Sequence, residues 1–365
     1  MSKKLKVLIA IGGTGGHVFP GFNLAKHLLE KNYHVNIVTD KRGYKFIKKK
    51  NNLDIAILPS FPFVKKNILT FFISFFLVFY AIIFAIIFLI LNRPSIIFGM
   101  GGYASFPVCI AASILKIKYI IYENNLVIGK ANKYLLPFSK KILVSHKELE
   151  GVPQKYLDKI YVIGNIINKE IINFKNKNSN VSISYKINLL VLGGSQAARI
   201  FADTLPEIFL NCSNQGIPIT VYQHCLPSQN DQLSSFYKKN KIDFEIFNFK
   251  NNLLDFFSKV NLAITRSGSS VLAELTNVNV PFISIPLPSS ADNHQLKNAI
   301  YYKNKNYGFL VEEKDLNNKL FELILEIYRE KTKINKILLS QSQYSDKNVY
   351  NNISKILKEI INEKN

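Results

Sequence analysis

The residues best suited to chemistry are Gly12-Gly13-Thr14-Gly15-Gly16-His17, which follow the apolar run Val7 to Ile11 and precede a segment with helical spacing. A glycine-rich turn between a strand and a helix offers backbone N–H groups and the positive helix end to an anion, usually a phosphate. Four glycines in five positions let that anion approach the backbone very closely. The turn lacks the Lys-Ser or Lys-Thr pair of a nucleoside-triphosphate loop, and it does not fit the dinucleotide fingerprint G-x-G-x-x-G. A tight turn without a ligand rarely needs so many glycines. His17 closes the loop, either as a helix-start residue or as a proton-transfer group facing the anion.

Similar grammar recurs downstream. Gly99-Met100-Gly101-Gly102-Tyr103 ends the apolar run Ile96 to Phe98, and Gly193-Gly194-Ser195-Gln196 ends Leu189 to Leu192. Arg266-Ser267-Gly268-Ser269-Ser270 reads as a strand-turn-helix, and Glu274 lies two turns into that helix. A carboxylate there suits a ribose diol, as in dinucleotide folds, or it is a solvated helix glutamate. Asp292-Asn293-His294-Gln295 joins carboxylate, amide and imidazole groups that suit the hydroxyls of a sugar, with helix capping by Asp292 as the plainer use. No nucleophile elbow, H-E-x-x-H or aspartate pair spaced for a divalent metal is present, and the six histidines lie apart. Electrostatic work on a phosphate therefore falls to backbone amides and helix ends.

The elements that must carry these groups follow from hydrophobic periodicity. Strands are expected at Val7–Ile11, Val35–Thr39, Ile55–Leu58, Ile96–Phe98, Tyr119–Tyr122, Ile142–Ser145 and Tyr161–Ile163. A polar stretch from Lys175 to Ser184 marks a boundary, and the pattern restarts with strands at Leu189–Leu192, Ile217–Gln223, Phe244–Phe247, Leu262–Thr265, Phe282–Ile285 and Phe309–Val311. Helices are expected from Phe19, at Ser269–Thr276, at His294–Lys303 and at Asn351–Ile361, the last with Ile353, Ile356, Leu357, Ile360 and Ile361 on one face. Two βα repeats, each opening on a glycine turn, imply two doubly wound parallel-sheet domains facing across a cleft. The expected division is 1–164, 165–345 and a C-terminal amphipathic helix, 346–365, docking back toward the first domain.

Residues 68–91 carry no charge and are flanked by Lys65, Lys66 and Arg93. On length they qualify as a membrane span. A span would put the loops at 12–16 and 99–102 on opposite sides of a bilayer, so the expectation is a helix that packs partly on the sheet and turns its apolar surplus to the membrane face. The 365 residues carry 47 Lys and Arg against 25 Asp and Glu, a net charge of +22, which favours anionic partners. No basic run interleaved with aromatics and no zinc-finger spacing supports nucleic acid. Cys109, Cys212 and Cys225 suggest a reducing compartment without a disulfide framework.

The stretches GGTGGHVFPG at 12–21, GMGGYASFP at 99–107, YENN at 122–125, GGSQAAR at 193–199, RSGSSVLAE at 266–274 and DNHQLKNA at 292–299 together resemble the MurG family. These bacterial transferases add N-acetylglucosamine to undecaprenyl-diphospho-muramoyl-pentapeptide in peptidoglycan synthesis. The resemblance implies a two-domain GT-B fold, with acceptor and membrane binding in the first domain and UDP-N-acetylglucosamine in the second. It places the acceptor diphosphate at Gly13, Gly15, Gly101, Gly102 and Tyr103. Thr14, Gly15, Gly16, Asn125, Gly194, Ser195, Arg266, Ser267, Glu274, His294 and Gln295 fall to the donor, with Glu274 on the ribose and His294 and Gln295 on the sugar. His17 is the match for a general base that deprotonates the acceptor's C4 hydroxyl, giving inversion from α to β.

The same resemblance implies no required cofactor or metal, a divalent cation acting only as a non-structural stimulator. It also implies a peripheral place on the cytoplasmic side of the inner membrane, other wall-synthesis proteins as partners, and no nucleic acid. The chain departs from the family at Tyr122-Glu123-Asn124-Asn125, where His-Glu-Gln-Asn is usual. It departs again at Gly164-Asn165-Ile166-Ile167-Asn168, where Gly-Asn-Pro-Val-Arg supplies a donor-contacting arginine; Lys169 stands one place late. A diacylglycerol glycosyltransferase, a non-catalytic nucleotide-binding scaffold and a nicotinamide oxidoreductase are the competing readings.

Overall fold

The computed structural model describes residues 5–13, 15–47, 53–63, 67–174, 185–194, 199–248, 250 and 253–362. The apolar runs at the middle of each sheet become strands buried on both faces, which is what a parallel sheet covered by helices requires. The chain divides into two units, Met1–Asn168 with Asp346–Asn365, and Lys169–Ser345.

The first unit alternates β1 (Lys6–Ala10), α1 (Gly15–Glu30), β2 (His34–Thr39), α2 (Lys41–Ile47), β3 (Asp54–Ile57), α3 (Ile68–Asn92), β4 (Ile96–Gly99), α4 (Gly102–Ile114), β5 (Tyr119–Glu123), α5 (Lys130–Leu135), β6 (Lys141–Val144) and β7 (Ile160–Val162). All strands pair in parallel, in the order β3-β2-β1-β4-β5-β6-β7. The chain winds one way from β1 to β3 and the other way from β4 onward, so the order reverses between β1 and β4. Parallel sheets bind ligands beyond the carboxyl ends of their strands at such a reversal. Both glycine loops of this unit leave from that point.

The uncharged segment forms the crossover helix α3 between β3 and β4. Asn67 and Thr70 close a capping box at its start, with Thr70 N donating to Asn67 Oδ1 at 2.8 Å. Its buried side chains are Ser74, Ala81, Ala85 and Leu89, a narrow and mostly small-residue stripe that lies along α4. The other faces are exposed and apolar, including Phe72, Phe75, Phe76, Phe79, Phe84, Ile87 and Ile90. Mean hydropathy reaches 3.0 over its most apolar stretch. Both neighbouring strands belong to one sheet, so this helix cannot cross a bilayer without carrying the sheet into it. Lys65 and Lys66 lie outside the described residues.

The second unit runs α6 (Lys169–Ile172), β8 (Ile187–Leu192), α7 (Arg199–Asn214), β9 (Ile219–His224), α8 (Asn230–Lys239), β10 (Asp243–Phe247), α9 (Leu254–Phe257), β11 (Leu262–Arg266), α10 (Ser269–Asn277), β12 (Phe282–Ile285), α11 (His294–Asn304), β13 (Phe309–Leu310), α12 (Phe321–Arg329) and α13 (Lys331–Ser342). Its parallel sheet has the order β10-β9-β8-β11-β12-β13, with the reversal between β8 and β11. The core joins Val191, Phe201, Leu205, Phe209, Tyr237 and Ile264.

The final helix, α14 (Val349–Asn362), belongs to the first unit and buries Val349, Tyr350, Ile353, Ile356, Leu357 and Ile360. Tyr350 Oη donates to Ile167 O, and Ser354 Oγ pairs with His27 Nε2 at 2.8 Å. The units separate at Asn168 rather than at residue 164. Two contacts keep the intervening residues in the first unit: Asn165 N donates to Asp346 Oδ1 at 2.8 Å, and Ile166 N donates to Tyr122 Oη at 3.1 Å. The polar stretch 175–184 lies outside the described residues.

Candidate functional site

In the first unit the two glycine loops touch. β1 pairs with β4, which sets Ala10 beside Gly99 and brings the loops off neighbouring strand ends. A Cβ on Gly12 would stand 2.3 Å from Ala104 Cβ in the first turn of α4. Only glycine lets the backbones come this close. Gly13, Gly101 and Gly102 have φ of 84°, 86° and 77°, a left-handed region that glycine occupies without strain. Gly101 is the N-cap residue of α4, and Tyr103, just inside the helix, is exposed.

His17 sits between the loops. It lies on the first turn of α1, and Cβ atoms built on Gly101 and Gly102 would stand 3.0 Å from its Cε1 and 3.2 Å from its Cδ2. The half-buried imidazole is thus seated on the second loop's glycines. A ring so placed adjoins any anion held by the amides of either loop. Thr14 lies outside the described residues; Gly15 is buried and Gly16 exposed at the start of α1.

The YENN stretch ends β5 and splits its duties. Glu123 is buried and accepts from Gly129 N at 2.8 Å, Asn132 Nδ2 at 3.0 Å, Asn125 N at 3.1 Å and Asn125 Nδ2 at 3.0 Å. It is the brace of the following loop. Asn124, not singled out from sequence, donates from Nδ2 to Gly16 O at 3.2 Å and so ties β5 to the first loop. Asn125, the residue expected at the donor, is half-buried beside it.

Sequence reasoning also missed Asp40 and Arg42, which follow β2. Asp40 is buried and accepts from Gly43 N at 2.8 Å, Arg42 Nε at 2.9 Å, Ser60 Oγ at 3.2 Å and, more weakly, Gly13 N at 3.5 Å. Burial opposes its ionisation, but the Gly43 amide and the Arg42 guanidinium prevail and hold its carboxyl below the usual range. The signal was the run Thr39-Asp40-Lys41-Arg42-Gly43 at a strand end, a carboxylate positioned to cap a helix.

In the second unit the turns at the sheet's reversal leave β8 and β11, which pair in parallel. Gly194 has φ of 78° with open space where a Cβ would project. Ser195 lies outside the described residues. Arg266 is buried: it pairs with Glu313, donates from Nη1 to Ile285 O and Pro286 O at 3.3 Å each, and lies 4.8 Å from the Phe201 ring centroid. Its guanidinium is spent inside the unit, where it fixes the end of β11 against the end of β12. Ser267 is fully buried, and Asn298 Nδ2 donates to its carbonyl at 3.1 Å. Glu274, on α10, has its carboxyl pushed up to about 7 by burial.

The sugar-type cluster opens α11. Asn293 is the N-cap residue and makes no side-chain cap bond. Asp292 and Asn293 take left-handed φ of 51° and 53° in the turn before the helix. His294 Nδ1 donates to Ala291 O at 2.8 Å, which leaves Nε2 for a ligand. Gln295 Oε1 accepts from Leu287 N at 3.0 Å, leaving its amide N–H groups to donate outward. Among the described residues no three His, Cys, Asp or Glu side chains gather as a metal site would need.

Two family models match: the glycosyltransferase family 28 N-terminal domain over residues 7–144 and the C-terminal domain of the same family over residues 188–356. A relative from Pelagibacter ubique (strain HTCC1062), named UDP-N-acetylglucosamine–N-acetylmuramyl-(pentapeptide) pyrophosphoryl-undecaprenol N-acetylglucosamine transferase, is 33% identical over 359 residues, 98% of this chain and 99% of its own. The chain belongs to glycosyltransferase family 28, in its MurG branch. A relative of the same name from Rickettsia felis is 33% identical over 331 residues, 87% of this chain and 91% of its own. The crystal structure of Acinetobacter baumannii MurG overlays with a TM-score of 0.78 at 18% identity, covering 98% of this chain and all of that one. The fold is GT-B, as the motifs implied.

Membership in the MurG branch gives the departures a structural reading. Tyr122, where the family usually has histidine, is buried with Oη paired to Ser145 Oγ at 2.9 Å and accepting from Ile166 N. Burial pushes its hydroxyl above the ordinary tyrosine range, so it serves as a neutral strut. Lys169 opens α6 and is half-buried in the second unit, whereas Asn168 ends the first.

Proposed function

We propose that this chain transfers N-acetylglucosamine from UDP-N-acetylglucosamine to the C4 hydroxyl of the muramoyl sugar of undecaprenyl-diphospho-muramoyl-pentapeptide, inverting α to β. The observation that carries the reaction is the nearly full-length likeness to transferases of that name. The first unit's geometry supports the details. Amides of the loops at Gly13, Gly15, Gly101 and Gly102, with Tyr103 beside them, receive the acceptor's diphosphate. His17, seated on Gly101 and Gly102, takes the hydroxyl proton as general base.

In the second unit Gly194 and Ser195 meet the donor diphosphate, Ser267 and the backbone fixed by Arg266 border it, and Glu274 accepts from the ribose diol. His294 Nε2 and the Gln295 amide hold the N-acetylglucosamine hydroxyls. Thr14, Gly16 and Asn125 reach the reacting sugars from the first unit. Amide donors stabilise the leaving diphosphate as its charge grows, without a required metal or cofactor; a divalent cation stimulates at most.

The exposed apolar faces of α3, with Arg93 at its end and a net charge of +22, support peripheral binding to the cytoplasmic face of the inner membrane. Other wall-synthesis proteins remain the expected company there, and nucleic acid has no part. The test is transfer of labelled N-acetylglucosamine to a short-chain acceptor analogue without added metal. A β1→4 product is expected; donor binding without transfer overturns the acceptor, and no donor binding overturns the whole reading.

A further inference from the structure

Backbone amides alone leave a diphosphate's charge poorly balanced, and a third segment reaches the two loops. A Cβ on Gly43 would stand 2.3 Å from Thr39 Oγ1 and 3.4 Å from Gly12 Cα, so the first turn of α2 lies directly on the first loop. Arg42 projects from that turn with its side chain 52% exposed. Its Nε and Nη2 both donate to Asp40 Oδ2, at 2.9 and 2.6 Å. Its guanidinium carbon lies 5.5 Å from the Tyr103 ring centroid, beside the glycines of the second loop. One edge is therefore held by a carboxylate and one face by an aromatic ring. Nη1 faces no protein partner among the described residues.

An exposed arginine–carboxylate pair contributes little to stability by itself. This one uses a buried carboxylate that also receives Gly43 N, Ser60 Oγ and Gly13 N. Burying a carboxylate is costly, and the return on it is orientation of the cation. A guanidinium so oriented offers two N–H groups in a planar fork, the geometry that matches phosphate oxygens. We infer that Arg42 is the cation that binds the acceptor's diphosphate, with Asp40 and Tyr103 as its positioning residues. The inference rests on the acceptor proposed above and adds the residue that neutralises it.

The experiment compares the full-length chain with Arg42→Gln and Arg42→Lys in the labelled-transfer assay, with farnesyl diphosphate as a competitor of the acceptor. Loss of one charge-assisted contact should raise both the acceptor KM and the competitor's Ki about 10- to 100-fold in Arg42→Gln. Arg42→Lys should fall between, and the KM for UDP-N-acetylglucosamine should hold in both. A competitor Ki within about twofold of wild type in Arg42→Gln overturns the inference. So does an equal rise in the donor KM, which would make Arg42 a scaffold residue. A wild-type chain that makes no product at all overturns the acceptor reading, and that failure is seen before any variant is tested.

Discussion

His17 and Glu274 can each be tested by a single substitution. His17 lies against Gly101 and Gly102, so its removal leaves the loops' glycine backbone in place. His17→Ala should lower kcat by about 10²- to 10⁴-fold, the usual contribution of a positioned base, while UDP affinity by calorimetry stays unchanged. Near-normal turnover would remove His17 as the base. Glu274 behaves differently, because burial raises its carboxyl to about 7 from an ordinary 4.5. A raised acid binds its proton more tightly folded than unfolded, so its ionisation costs stability as pH climbs from 4.5 toward 7, and the full cost persists above. Glu274→Gln should therefore melt higher than wild type at pH 8, by roughly 2–4 °C per kcal/mol relieved. A ribose diol donates to the anion, so wild-type UDP affinity should rise across pH 6 to 8 and the variant's should stay flat. A variant that melts no higher at pH 8 would show that the carboxyl ionises freely.

At the scale of elements, α3 has two kinds of surface that can be separated by mutation. Ala81 and Ala85 are fully buried in the stripe against α4, so Ala85→Leu should destabilise the first unit by about 1–3 kcal/mol in urea. Phe76 and Phe79 are exposed, so Phe76→Lys with Phe79→Lys should leave that stability unchanged and sharply weaken sedimentation with anionic vesicles. Equal vesicle binding by this double variant would move membrane contact elsewhere. The helix was legible from its uncharged length, and so were the strands, the central ones because parallel strands buried on both faces read as short apolar runs. The loops were legible because close approach demands glycine. What escaped were pairings that only tertiary structure creates. Nothing local tells that Asn124 reaches Gly16, since that depends on how β5 ends. Arg266 reads as an open ligand contact until Glu313 arrives from a distant turn to bury it. Asp40 and Arg42 look like an ordinary charged helix start until Tyr103 is set beside them.

For the whole molecule, the consequential contact is between Asn165 and Asp346, which clasps the end of the first pass through the first unit to the start of its return. Gly164, with φ of 94°, lets the backbone present that amide to the carboxylate. Asp346→Ala strands the buried N–H and should cost the first unit about 1–3 kcal/mol, read as an earlier urea midpoint with the second unit's transition unmoved. A matching shift in both transitions would mean that the clasp serves the second unit as well.

The return of α14 also sets a timetable for biosynthesis. Its six buried side chains complete a hydrophobic core whose sheet leaves the ribosome far earlier. Translation of the intervening Lys169–Ser345 takes roughly 9–35 s at bacterial speeds. Throughout that interval the nascent first unit holds an open seam along α1, with the greasy flank of α3 exposed on the same unfinished body. The second unit, contiguous in the chain, is free to fold first, and the one that starts earlier is sealed later.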